Sequence, residues 1–197
     1  MKKVLLIASI LFVAVVSTAC INNLAVQDLN NKAKEYADKG DYTQAIERLK
    51  SSIDLDPSVF ETHYNLAVVY TKAEDYVNAV EEYKKVIEMK PDVADSYYSL
   101  ATAENNLAVD IEQGTVRMNS DGSLFTPKAE DIISDDEYEL GEKERQFVTQ
   151  LYDGAIANYE KYLELAPNAD DKTSVEEQIQ KIKNRQSGEQ NNEIKEF

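Results

Sequence analysis

The feature that most constrains this chain is a self-similarity with a period of 34 residues. Pro57 and Pro91 stand 34 apart, and so do Tyr36 and Tyr70, Tyr42 and Tyr76, Ala45 and Ala79, and Leu55 and Met89. Ala33, Ala67 and Ala101 carry the period through three copies. Aligned, Gly40-Asp41-Tyr42-Thr43-Gln44-Ala45-Ile46 stands over Glu74-Asp75-Tyr76-Val77-Asn78-Ala79-Val80. A unit this short cannot bury its own apolar face, so neighbouring units must stack to make a core. With 6 Gly, 4 Pro and no Trp in 197 residues, Gly/Pro-rich disorder and strand-rich folds with many tight turns are excluded, and helix is the expectation.

Within each unit the residue types dictate two helices. Ala at the eighth and twentieth positions lets the helices approach closely, and the large residue at position 24 (Leu49, Tyr83) fills the space beside them. Pro at position 32 ends the second helix and turns the chain into the next unit. Ser58-Val59-Phe60-Glu61 reads as a capping box for that next helix. Period and residue types together resemble the tetratricopeptide repeat (TPR). The resemblance implies an all-α fold, an α-solenoid of TPR helix hairpins.

Repeat one is assigned to 26–59 and repeat two to 60–93. The third, 94–167, is split. Tyr97, Leu100 and Ala101 mark its first helix, but the turn signature returns only at Tyr152-Asp153-Gly154-Ala155-Ile156, followed by Tyr159, Tyr162 and Pro167. Pro167 lies 76 residues beyond Pro91, which leaves an insertion of about 42 residues near 109–150. Inside it, Thr115 to Met118 and Ser123 to Phe125 read as a β-hairpin around Asn119-Ser120-Asp121-Gly122. Thr126-Pro127 is expected to open a short helix, and Ser134-Asp135-Asp136-Glu137 to cap one running to Ala166. Thr173-Ser174-Val175-Glu176 is expected to start a capping helix within 168–186, buried through Val175, Ile179 and Ile182. The polar end, 187–197, is expected to be disordered.

The N-terminus has its own grammar. Met1-Lys2-Lys3, an apolar run from Val4 to Val16 and small residues before Cys20 make the three regions of a secretory signal over 1–19. The run is too short to span hydrocarbon. Its placement before the chain's only Cys resembles a bacterial lipobox, with Ser17 where that motif usually has Leu. The resemblance implies acylation at Cys20, a short tether over 20–25, and a location on the bacterial cell envelope, anchored by lipid and facing the periplasm or the exterior.

Charge and residue counts limit the chemistry. Against 21 Lys and Arg stand 37 Asp and Glu, a net charge of −16 that becomes −18 once Lys2 and Lys3 are lost. Such a chain repels nucleic acid and anionic lipid and favours a partner with basic surface. One His and one Cys leave no multi-His metal site and no disulfide framework. His63 stands where the family buries an aromatic, so it is read as a core residue, and no catalytic residue, cofactor or small-molecule substrate is assigned. Asp131, Asp135, Asp136, Glu137 and Glu139 leave a calcium-responsive module as a minor alternative. Asn119, Asp121 and Gly122 resemble the middle of an EF-hand loop, but Arg117 and Lys128 occupy its first and last ligand positions.

The resemblance points instead to binding. In the family, first helices line a concave groove, and the groove positions here are Asn30, Asn31 and Lys34, then Tyr64, Asn65 and Val68, then Tyr98, Ser99, Thr102 and Asn105. Asn31 and Asn65 fall one repeat apart, and an Asn amide both donates and accepts toward a peptide backbone. The family's carboxylate clamp is not expected, because of its positions only Asn65 matches and Asp95 repels a terminal carboxylate. The function expected is an envelope adaptor gripping a protein or extended peptide. The alternative is an assembly factor for a pilus or secretion channel, acting through the hairpin tip with Phe125.

Overall fold

Helix, broken once by a small β-ribbon, accounts for nearly all the regular structure in a computed structural model that describes residues 23–128 and 138–188. The chain divides into two compact units, the first ending at Ala73 and the second starting at Glu74. The first holds α1, helical over 23–38, α2 (Tyr42–Leu55) and α3 (Phe60–Lys72). The second holds α4 (Tyr76–Met89), α5 (Ala94–Glu112), β1 (Arg117–Met118), β2 (Leu124–Phe125), α6 (Glu142–Leu165) and α7 (Lys172–Ser187). No described helix is long and apolar enough to cross a membrane.

The repeat signature becomes a repeated turn. Gly40 leaves α1 at φ +77°, and Asp41 then caps α2 by accepting from the Gln44 amide at 3.1 Å. One repeat later Asp75 accepts from the Asn78 amide at 3.2 Å, but the residue before it is Glu74, held at φ 59°. A left-handed backbone suits Gly and strains a residue with a Cβ, so the two turns are alike in shape and unequal in cost.

Burial follows the predicted positions. Ala33, Ala45, Ala67, Ala79 and Ala101 are all buried, and Leu49 and Tyr83 are sealed beside them. In unit 2, α5 packs on α4 and on α6, and α6 on α7. Pairings of Thr102 with Tyr159 and of Glu112 with Tyr152 show that α5 and α6 run antiparallel. Val175, Ile179 and Ile182 bury the inner side of α7, as expected of a terminal helix.

Several expected helix starts are displaced. At α3 the N-cap is Val59, with no side-chain cap, because the amide and hydroxyl of Ser58 both donate to Asp56 Oδ1, at 3.0 and 2.6 Å. The capping helix starts at Lys172 rather than at the Thr173 box; Asp171 stands before it and spends its carboxylate on the Tyr162 hydroxyl, at 2.7 Å. It also runs through Ser187, one residue into the predicted tail, and stops where Gly188 turns left-handed. Residues 126–128 are not helical, and the remainder of the helix expected after Pro127 lies outside the described residues, as does the Ser134 box. The later helix begins at Glu142, since Glu144 Oε2 takes the Gly141 amide at 2.8 Å and closes the first turn there.

Candidate functional site

In unit 1 the sequence places Asn30 in α1 one turn after Val26, and α2 and α3 bring Ser52 and Thr62 to it. Both hydroxyl residues are buried. The Asn30 amide nitrogen has two hydrogens for three acceptors, the Val26 carbonyl at 2.9 Å, Ser52 Oγ at 2.9 Å and Thr62 Oγ1 at 3.0 Å, so one hydrogen is shared between two of them. Its oxygen accepts from Asn65 Nδ2 at 2.9 Å. A backbone carbonyl only accepts, so Val26 fixes which end of the Asn30 amide is nitrogen. The Asn30 oxygen must then face Asn65, and Asn65 must offer its nitrogen. What Asn65 keeps for a ligand is its Oδ1 and one N–H.

Two hollows meet at these asparagines. One, of about 530 Å³, is lined by Val26, Asn30, Asn31, Asp56, Glu61 and Asn65 among others. The second, of about 290 Å³, shares the same asparagines and continues to Lys34, Val68 and Lys72. Of the residues expected in the groove, unit 1 thus brings together Asn30, Asn31, Lys34, Asn65 and Val68, while Tyr64 is half-buried on α3. Asn30 works inward, as the brace of Asn65. Asn31 and Asn65, one repeat apart, both line the two hollows, and the side chain bonded to Asn65 is that of Asn30.

In unit 2, Tyr98 is 37% exposed and stands edge-on to Tyr159 and Tyr162, with ring centres 5.6 and 5.3 Å away. Thr102 shares a 2.9 Å hydrogen bond with the Tyr159 hydroxyl, and Asn105 donates to Asn106 at 3.3 Å. Ser99 is half-buried. Tyr159 and Tyr162, absent from the expected site, hold Tyr98 in place; their spacing by three on a helix was the available signal. Burial raises the Tyr159 phenol, and the Asp171 carboxylate with burial pushes Tyr162 up to about 12.

The β-ribbon pairs Arg117 with Phe125 and Met118 with Leu124. Its turn consumes the residues that resemble a calcium loop: Asp121 Oδ1 accepts from the amide and hydroxyl of Ser123, and Asn119 Nδ2 donates to Ser123 Oγ. Glu144 ties the ribbon to α6. Its carboxylate accepts from the Met118 amide at 3.1 Å, the Gly141 amide at 2.8 Å and the Tyr138 hydroxyl at 2.6 Å. Burial opposes ionisation of Glu144, but these donors and nearby Arg117 outweigh it and hold its carboxyl below the usual range. Tyr138, half-buried and bonded to that carboxylate, is pushed up to about 12.

Two groups that invite a catalytic reading make packing and hydrogen-bond contacts within the fold. His63 is buried, with Nε2 3.2 Å from the Pro57 carbonyl, so that nitrogen carries the proton. Glu104, buried on α5, accepts from Asn158 at 2.8 Å and lies 3.5 Å from Lys84 Nζ. Burial raises its carboxyl despite both partners. Among the described residues no group of His, Cys, Asp and Glu is arranged to hold a metal ion. Of the acids proposed for calcium, Asp131, Asp135, Asp136 and Glu137 lie outside the described residues.

Comparison with known proteins gives the fold its name. A TPR repeat model matches residues 33–73 and a tetratricopeptide repeat model matches 60–93. Residues 33–93 are thus similar to tetratricopeptide repeats. Solved TPR domains share the fold. The first TPR of Spaghetti (RPAP3), bound to the HSP90 peptide SRMEEVD, is 18% identical, with 83% of this chain and 94% of that one covered at a TM-score of 0.55. The TPR2B domain of yeast Sti1, in a pHsp70 complex, is 14% identical, with 82% and 98% covered at 0.56. The Sgt2 TPR domain from Aspergillus fumigatus is 16% identical, with 87% and 85% covered at 0.55. No curated protein sequence matches the chain.

Proposed function

We propose that this TPR protein is a scaffold that holds an extended segment of another protein against the α1/α3 face, tethered to a bacterial envelope membrane by lipid on Cys20. The braced Asn65, lying where two hollows join, carries the reading. An amide held in one orientation loses little freedom on binding and offers a peptide backbone both an acceptor and a donor. Peptide complexes of the TPR neighbours support the same use. The lipobox-like run ending at Cys20 and the acidity of the chain suit an anchored protein with a basic envelope partner.

The test is recovery of envelope partners on the full chain from crosslinked cells. Asn65→Ala should abolish it, and unchanged recovery would overturn the groove reading. Labelled palmitate should enter the wild type and not Cys20→Ser; label in neither removes the anchor from the proposal. A second reading rests on Phe125, 40% exposed on the ribbon. If deletion of residues 115–126 ends partner recovery while the Asn65 variant does not, the ribbon is the binding element.

A further inference from the structure

The two hollows on the α1/α3 face differ in charge. The larger is lined by Asp56 and Glu61 and by no Lys or Arg. The smaller has Lys34 and Lys72, with Asp38 its one acid. Glu61, Lys34 and Lys72 are exposed and make no ion pair within the described residues. Asp56 turns one oxygen to Ser58, a pair of hydrogen bonds that holds its carboxyl below the usual range and keeps it charged.

The amide between these ends has a fixed sense. Because Val26 dictates the orientation of Asn30, and Asn30 that of Asn65, the Asn65 carbonyl oxygen is left over as an acceptor where the hollows join. An amide oxygen beside two carboxylates suits a group made only of donors, and guanidinium or ammonium is that group. Lysines beyond the amide suit a carboxylate. Charge arranged in this way fixes register and direction more than it adds affinity.

Resting on the scaffold reading, we infer that the segment held on this face is a mixed-charge one, read in a single order. Its Lys or Arg enters the hollow at Asp56 and Glu61, and its Asp or Glu, further along, meets Lys34 and Lys72. The partner is an extended protein segment of that chemistry.

A random peptide library displayed on phage and panned on the full chain tests the inference. The wild type should enrich peptides with a basic and an acidic residue in constant order. Asp56→Asn with Glu61→Gln, which keeps size and removes charge, should weaken those peptides about tenfold by fluorescence polarisation. Asp56→Lys with Glu61→Lys should select an acidic residue where the wild type selects a basic one. Binders that lack the basic residue, or that bind the charge variants as well as the wild type, overturn the charge order; if Asn65→Ala still weakens them, the face itself stands. Binders indifferent to Asn65→Ala, or no enrichment at all, overturn the charge order and the α1/α3 face together.

Discussion

Asn65 donates to Asn30 across 2.9 Å, joining α3 to α1, and Asn30 shares its own two amide hydrogens among Val26, Ser52 and Thr62. One side chain therefore satisfies two buried hydroxyls and orients a surface amide. Asn30→Ala leaves Ser52 and Thr62 buried without their donor, and should cost about 1–3 kcal/mol in urea unfolding. Peptide binding should fall in the same variant although Asn30 is braced inward. In a double-mutant cycle on binding, Asn30→Ala should add little once Asn65 is Ala. Additive losses would show that Asn30 contacts the ligand itself.

The turn before α4 is strained where the turn before α2 is not. Glu74 sits at φ 59° and Gly40 at φ +77°. Glu74→Gly should stabilise the protein, and Gly40→Ala should destabilise it, each by about 1 kcal/mol. Opposite shifts in thermal midpoint are the readout.

Glu104 makes stability depend on pH in a defined direction. Burial raises its folded carboxyl above the ordinary glutamate value of 4.5, so between 4.5 and the folded value the native state binds more protons than the unfolded chain. Its contribution to stability is present below that window and is lost as pH rises through it. Glu104→Gln should flatten this part of the curve, measured by urea unfolding at stepped pH. Gly154 belongs to the same site, because a Cβ there would lie 2.9 Å from Glu104 Oε2. Gly154→Ala should therefore fail to deliver the gain of about 1 kcal/mol that Ala brings to an exposed helix interior.

Glu144 carries the junction between the ribbon and α6. Glu144→Gln keeps the side chain's size and weakens three hydrogen bonds to a carboxylate. The Met118 amide should then exchange with solvent faster, while the helical circular dichroism stays the same. The Tyr138 phenol should titrate below its wild-type value of about 12, followed by ultraviolet absorbance.

The period made the hairpins readable, because close helix contact demands small residues at fixed intervals and Ala33, Ala67 and Ala101 supply them. Helix ends were less readable. Ser58 and Thr173 have the residue types of caps, yet Asp56 captures Ser58, and α7 begins one residue before Thr173. Local motifs compete with tertiary partners that lie outside any short window. The candidate site shows the same division. Asn65 was legible from its repeat position, but its bond to Asn30 spans 35 residues, breaks the period by one, and depends on hydroxyls from two other helices. The charge difference between the hollows joins Asp56, Glu61, Lys34 and Lys72, which no motif groups.

His63 and Tyr97 stand one period apart and reach back to the same place, the carbonyls of Pro57 and Pro91, at 3.2 and 3.0 Å. Two unlike rings thus do one job, pinning the prolyl corner that starts each hairpin. The chain's single histidine is accordingly a structural pin, its ring nitrogen spent on a backbone carbonyl.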